Sequence, residues 1–380
     1  MRVLMMSYGS VGDVIPFVAL AQELRRRGHQ PVFALPRHLA SAVERYAIEV
    51  VPIGPDLGEV FRAAHMQITE GTFSLEDADR GNRVMAEIGP QAVQALGPLA
   101  LTSDLLVSLY GMPFVDVMHR ATKIPVVSLR VAYPGHESPA SAGDGKAKPI
   151  AMYGVGSFQP ALHLYALSRA VFAPEPGWPA NHHVTGFFFL DEPMIKPAPQ
   201  LSAFLQDGPA PVVITMGSMT HADPDRLTRI FLEAIERAGC RAIIQHGWSG
   251  LARQSALPPN VYAVDHLPHS WLFPRAAAVV HHGGAGTTAA ALRAGVPTVV
   301  IPHALDQFVM AEHVQALGCV GGIVPYQELS VDALAEALAY TLDQPALRTA
   351  ASAASAIVRG EPGVAGAVDL IEALPPRQRR

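Results

Sequence analysis

The chain has 380 residues, 49% of them hydrophobic and 16% charged, with a formal net charge of −5. That length suits about two domains, the apolar content excludes a disordered chain, and the lack of a basic excess excludes nucleic acid as the main partner. The two cysteines, Cys240 and Cys319, exclude a disulfide scaffold and a four-cysteine zinc site.

The run Met1–Ser7 is too short for a signal-peptide core, and no stretch nears the roughly 18 apolar residues of a spanning helix, so a soluble cytoplasmic protein is expected. Val3–Ser7 predicts a buried strand. Val14–Arg27 predicts a helix with an apolar stripe through Val14, Phe17, Val18, Leu20, Ala21 and Leu24, closed by Gly28. Pro31–Leu35, Glu49–Ile53, Leu105–Leu109 and Pro125–Leu129 continue as strands. Val60–Leu96 is less regular, either an insertion or a helical excursion on the sheet. The Gly/Ser/Pro/Ala-rich stretch Tyr133–Pro149 reads as a lid or as slack. Asp191–Gln200 carries Pro193, Pro197 and Pro199 and reads as an interdomain linker. A second start follows, with strand Pro211–Thr215 running into Met216-Gly-Ser218 and then a helix over Pro224–Ala238. Further strands are expected at Ala242–Gln245, Val261–Val264, Ala277–His281 and Thr298–Ile301, and the tail Leu374–Arg380 as a frayed end. Two such series predict two Rossmann-like α/β domains.

Four segments carry candidate chemistry. In Ala278-Val-Val-His-His-Gly-Gly-Ala-Gly-Thr-Thr288 a buried strand enters a glycine loop and then a helix. That order aims main-chain N–H groups and a positive helix end at one spot, where a phosphate fits. His281 or His282 adds a donor or a positive charge; the alternative is a plain turn. After the strand Thr298–Ile301, Asp306 and Gln307 suit vicinal hydroxyls, or Asp306 simply caps the helix Gln307–Leu317. After Val261–Val264, His266 suits stacking on a base and the Leu267 main chain its edge, or both are ordinary loop residues. At the N-terminus, Asp13 sits where strand becomes helix. It suits a helix cap with Pro16 in the first turn, and equally a general base.

In this order and spacing the segments resemble the family 1 glycosyltransferases of the GT-B fold, above all sterol glucosyltransferases and bacterial glycosyltransferases that decorate antibiotics. The resembling residues are Gly9-Ser-Val-Gly-Asp-Val-Ile-Pro16, His269-Ser-Trp-Leu-Phe-Pro-Arg275, His281-His-Gly-Gly-Ala-Gly-Thr-Thr288 and Gly295-Val-Pro-Thr-Val-Val-Ile-Pro-His-Ala-Leu-Asp-Gln307. The likeness runs through nearly all of the C-terminal half but mainly the first ~30 residues of the N-terminal half.

The resemblance implies two Rossmann-like domains facing each other across a cleft. An acceptor-binding domain would span 1–190, a linker 191–210, a nucleotide-sugar domain 211–362, and 363–380 a helix crossing back. It implies that His281, Ser218 and the loop residues Gly284, Ala285, Gly286 and Thr287 meet the pyrophosphate. Asp306 and Gln307 would hold sugar hydroxyls, and His266 and Leu267 would flank the base. Asp13, helped by Ser10, would deprotonate the acceptor. The expected reaction is inverting transfer from a UDP- or dTDP-sugar to a hydroxyl of a hydrophobic small molecule, with no metal and no further cofactor. A nucleotide-sugar epimerase and a noncatalytic partner of another transferase are the alternatives.

The chain departs from the family at Val11, where relatives often have Arg, and at Ala289, where plant relatives have a ribose-binding Glu. It is also short for a sterol enzyme, which favours a bacterial small-molecule enzyme.

Overall fold

The computed structural model describes residues 1–7, 11–54, 75–109, 113–131, 159–174, 177–190, 195–248, 250–253, 256–303 and 306–377. Ser10, the segment Tyr133–Pro149 and the start of the expected linker lie outside them. The described residues form two compact units. The first takes those up to Leu190 and from Glu361 onward; the second takes 195–360.

The first unit runs β1 (Arg2–Met6), α1 (Val11–Arg26), β2 (Gln30–Pro36), α2 (Arg37–Glu44), β3 (Glu49–Ile53), α3 (Leu75–Thr102), β4 (Leu105–Leu109), α4 (Pro113–Thr122), β5 (Val126–Arg130), β6 (Leu162–Tyr165) and β7 (His182–Val184). Its sheet has the order β3-β2-β1-β4-β5-β6-β7, with parallel neighbours. Apolar residues occupy both faces of these strands, as a sheet covered on two sides requires. Val3, Met5, Phe33 and Leu35 pack with Phe17, Leu20 and Leu24 of α1. Leu4, Met6 and Leu106 pack with Ala92, Leu96 and Ala100 of α3 and with Phe114 and Met118 of α4.

From Leu75 onward, helix α3 decides the two readings of Val60–Leu96 in favour of the helical excursion on the sheet. Gly89-Pro90 and Gly97-Pro98 look like breaks, but Ala92, Leu96 and Ala100 recur every four residues and bury one face, and that packing overrides local preference. At α1 the helix begins at Val11, so Asp13 lies inside the first turn rather than at the cap. Pro16 lies beyond the first turn, within the helix.

The second unit runs α5 (Pro199–Gln206), β8 (Val212–Thr215), α6 (Pro224–Arg237), β9 (Ala242–Gln245), β10 (Val261–Val264), α7 (His269–Leu272), β11 (Ala278–His281), α8 (Ala285–Ala294), β12 (Thr298–Val300), α9 (Asp306–Ala316), β13 (Val320–Ile323), α10 (Val331–Asp343) and α11 (Pro345–Gly360). Its parallel sheet has the order β10-β9-β8-β11-β12-β13. Helix α5 occupies part of the expected linker: Pro199 starts it and Leu201 buries against Val213 and Ile243.

The last helix, α12 (Gly363–Glu372), belongs to the first unit and packs on α1. Arg27 Nη1 reaches Asp369 (2.5 Å) and Glu372 (2.9 Å) there. The tail after it is tethered at Arg377 rather than frayed. Its guanidinium donates to the carbonyls of Ala100 (2.8 Å), Ser103 and Thr122, around the carboxyl ends of α3 and α4.

Candidate active site

In each sheet all strands run one way, so the loops after them share one edge, and the strand order reverses at one point. Such a switch point opens a crevice at the carboxyl ends of the strands, where α/β proteins bind ligands. In the first unit the switch lies between β1 and β4. Helix α1 follows β1 directly, which puts half-buried Asp13 at that point. In the second unit the switch lies between β8 and β11. The loop after β8 carries Gly217 and half-buried Ser218, and the loop after β11 is the glycine loop.

Glycine is needed in both loops. Gly217 has φ +57, and a Cβ there would lie 2.8 Å from Cε1 of His282. Gly283 has φ +89, and its Cβ would come within 3.0 Å of the carbonyl oxygen of Gln307. A Cβ on Gly284 would lie 2.3 Å from His282 Nε2. The imidazole of His282 is thus wedged between the two loops at the switch point.

Gly284 is the N-cap of α8 and supplies no capping side chain, and the first turn has no acidic residue. The N–H groups of Ala285, Gly286 and Thr287 therefore form a helix end with no intrahelical acceptor and no carboxylate within its own first turn. Nearby, Nε2 of His281 and Nδ1 of His282 are buried without hydrogen-bond partners. Unmet polar groups beside a bare helix N-terminus suit an anion.

His281 is fully buried, and the N–H of Gly283 donates to its Nδ1 (3.1 Å). Its proton therefore sits on Nε2. Burial, reinforced by His269, lowers its pKa to about 3. His282 falls to about 3 by burial, with His281 and His221 adding to the effect. Burial thus holds both rings toward the neutral form, which favours the donor reading over the positive charge.

Asp306 opens α9 and sits in its first turn, not at its cap. Gln307 accepts from the main-chain N–H of His303 at Oε1 (2.8 Å) and donates from Nε2 to Met219 Sδ (3.5 Å). Ser218, the glycine loop and Gln307 thus come together around three adjacent loops. His266 is exposed, its ring 6.5 Å from that of His269. The N–H of Leu267 is already engaged, donating to Gln245 Oε1 (2.8 Å), which leaves its main-chain carbonyl as the group that could meet a base edge. Gln245, His221 and His303 were not expected at the site. Gln245 and His303 stand at or just past strand ends, but only the sheet order tells which strand ends border the switch point. Among the described residues no group of three or more His, Cys, Asp or Glu is arranged to hold a metal ion.

Residues 3–100 match the glycosyltransferase family 28 N-terminal domain, and residues 229–374 match the erythromycin biosynthesis protein CIII-like C-terminal domain. The O-mycaminosyltylonolide 6-deoxyallosyltransferase of Streptomyces fradiae is 30% identical, the alignment covering 98% of this chain and 97% of that enzyme. The chain belongs to the family 1 glycosyltransferases. A sterol 3-beta-glucosyltransferase of Arabidopsis thaliana is also 30% identical over 97% of this chain, which spans 64% of that glycosyltransferase's length. Solved glycosyltransferases share the GT-B fold of two Rossmann-like domains. The glycotransferase of kitacinnamycin superposes with a TM-score of 0.75 at 22% identity, covering 98% of each chain. A spinosyn rhamnosyltransferase complexed with thymidine diphosphate does so with 0.73 at 20% identity, covering 98% of this chain and all of that one. Among the described residues of this glycosyltransferase no helix is long and apolar enough to cross a membrane.

Proposed function

We propose that the protein transfers a sugar from a UDP- or dTDP-sugar to a hydroxyl of a hydrophobic small molecule, with inversion at the anomeric carbon. The observation that carries this is the anion site at the switch point of the second unit. There the N–H groups of the first turn of α8, which carries no acidic residue of its own, stand beside His282 and the proton on His281 Nε2. A nucleoside diphosphate leaving group is an anion whose charge grows as the sugar departs, and preorganised donors stabilise that growth.

In the step, the acceptor oxygen bonds to C1 of the sugar as the bond from C1 to the phosphate oxygen breaks. The transition state is oxocarbenium-like. Asp13 takes the hydroxyl proton, with Ser10 beside it in sequence. The leaving electron pair stays on the nucleoside diphosphate. Ser218 and the loop residues Gly284, Ala285, Gly286 and Thr287 face the phosphates together with His282, and His281 backs them. Asp306 and Gln307 hold sugar hydroxyls, and His266 and Leu267 flank the base. The first unit is assigned the acceptor and the second the donor. The leaving charge is met by N–H donors, so the step is read as metal-independent. The thymidine diphosphate complex of a neighbour of the same fold supports the donor class.

A mass-detected assay pairing UDP- and dTDP-sugars with polyketide and sterol acceptors tests the reading. Glycosylated acceptor, unaffected by EDTA, is expected. Product formed from the donor alone would instead mark an epimerase.

A further inference from the structure

One hydrogen-bonded chain in the second unit takes no part in phosphate binding. Nε2 of His221 and Nε2 of His303 lie 2.9 Å apart. Nδ1 of His303 lies 2.8 Å from the carbonyl oxygen of Ile301. A carbonyl only accepts, so the His303 proton sits on Nδ1 and its Nε2 is the acceptor; His221 donates to it from Nε2. The His303 ring also stacks on Tyr326, with centroids 4.4 Å apart and planes 18° from parallel. The same residue's main-chain N–H donates to Gln307 Oε1 (2.8 Å), and Gln307 Nε2 donates to Met219 Sδ (3.5 Å). Gly283 packs against the Gln307 main chain from the glycine loop.

Met219 and His221, both in the loop after β8, thus grip Gln307 and His303. The terminal torsion of a glutamine has broad, roughly two-fold preferences, so an amide held at only one atom swings between orientations. We infer that the His221–His303 pair is a positioning device for Gln307: it fixes the direction of that amide and so sets how tightly the sugar part of the donor is held. The inference rests on the proposed nucleotide-sugar reading and deepens it. His221 touches neither phosphate nor sugar in this scheme; it acts through His303.

The test is calorimetric titration of dTDP, UDP, dTDP-glucose and UDP-glucose into the wild-type protein, His221→Phe and His221→Gln. His221 is half-buried, so Phe should fit its place, and thermal unfolding of each variant monitors folding. In the wild type the sugar conjugate is expected to bind more tightly than its parent diphosphate. His221→Phe is expected to weaken the conjugate about tenfold and the diphosphate less than twofold. His221→Gln, which restores an N–H donor, recovers most of the loss. Equal loss for conjugate and diphosphate, or no loss for either, overturns the inference and leaves the donor reading standing. A wild type that binds none of the four ligands overturns both.

Discussion

A methyl group on Gly284 would lie 2.3 Å from Nε2 of His282, and one on Gly217 would lie 2.8 Å from the neighbouring Cε1. The ring is almost fully buried and contacts both loops, so it has little room to turn aside. Gly284→Ala should therefore displace His282 and weaken dTDP or UDP binding by about tenfold, a change of ~1.4 kcal/mol. Its backbone, at φ −62, accepts alanine without dihedral strain, so any fall in Tm should come from the displaced ring alone. Gly217→Ala should show the same loss plus a lower Tm, because φ +57 costs an L-residue about 1–2 kcal/mol. Titration and thermal unfolding separate the two effects. Wild-type affinity in Gly284→Ala would sink the placement of His282 at the phosphates.

Asp13 stands in the first turn of α1 at the other switch point. Asp13→Asn keeps shape and hydrogen bonding but removes the proton acceptor. Transfer should fall by about 10²–10⁴-fold while nucleotide affinity stays within twofold. Full turnover in the variant would mean another group takes the proton.

A single well-placed donor is worth roughly 10²–10³ in kcat. His282→Ala should reach that range without a matching rise in the KM for the acceptor. A steady-state comparison over both substrates reads the split.

Acid should destabilise the protein through its buried histidines. Burial lowers His281, His282 and His303 to about 3 and His221 to about 4. The unfolded chain titrates near 6.5, so between these values it holds more protons than the native state, and stability rises with pH across that window. The contribution is complete above about 6.5 and is lost as pH falls toward 4. Tm measured from pH 7.5 to 4.5 should decline, and His303→Gln should flatten the decline. A flat wild-type profile would contradict the neutral, buried assignment.

Arg377 reaches the carbonyls of Ala100, Leu101, Ser103 and Thr122 at the ends of α3 and α4 and has no part in the site. Arg377→Ala leaves those carbonyls without their charged donor. A loss of roughly 1–3 kcal/mol is expected in urea unfolding, with nucleotide affinity unchanged. Unchanged stability would show the tail to be only loosely attached.

The alternation of strand and helix, the glycine loop and the ordered motifs through Asp13, His281–Thr288, Asp306 and Gln307 were legible in the sequence. They depend on local periodicity and on short spacings fixed by one turn of chain. Helix α3 was legible only as one of two readings, because its Gly-Pro pairs contradict the periodicity that packing with β1 and β4 enforces. Strand β7 was hidden because three residues carry too little pattern.

The sequence by itself determined that glycine loops and a carboxylate follow buried strands. Only the tertiary structure decided which of the paired histidines faces both loops, that burial pushes both rings toward the neutral form, and that His221 and His303 meet 82 positions apart in the chain. Those outcomes depend on strand order and burial. Strand order sets which loops become neighbours across the switch point, and burial sets whether an imidazole keeps its proton; neither is encoded in a residue's immediate neighbours.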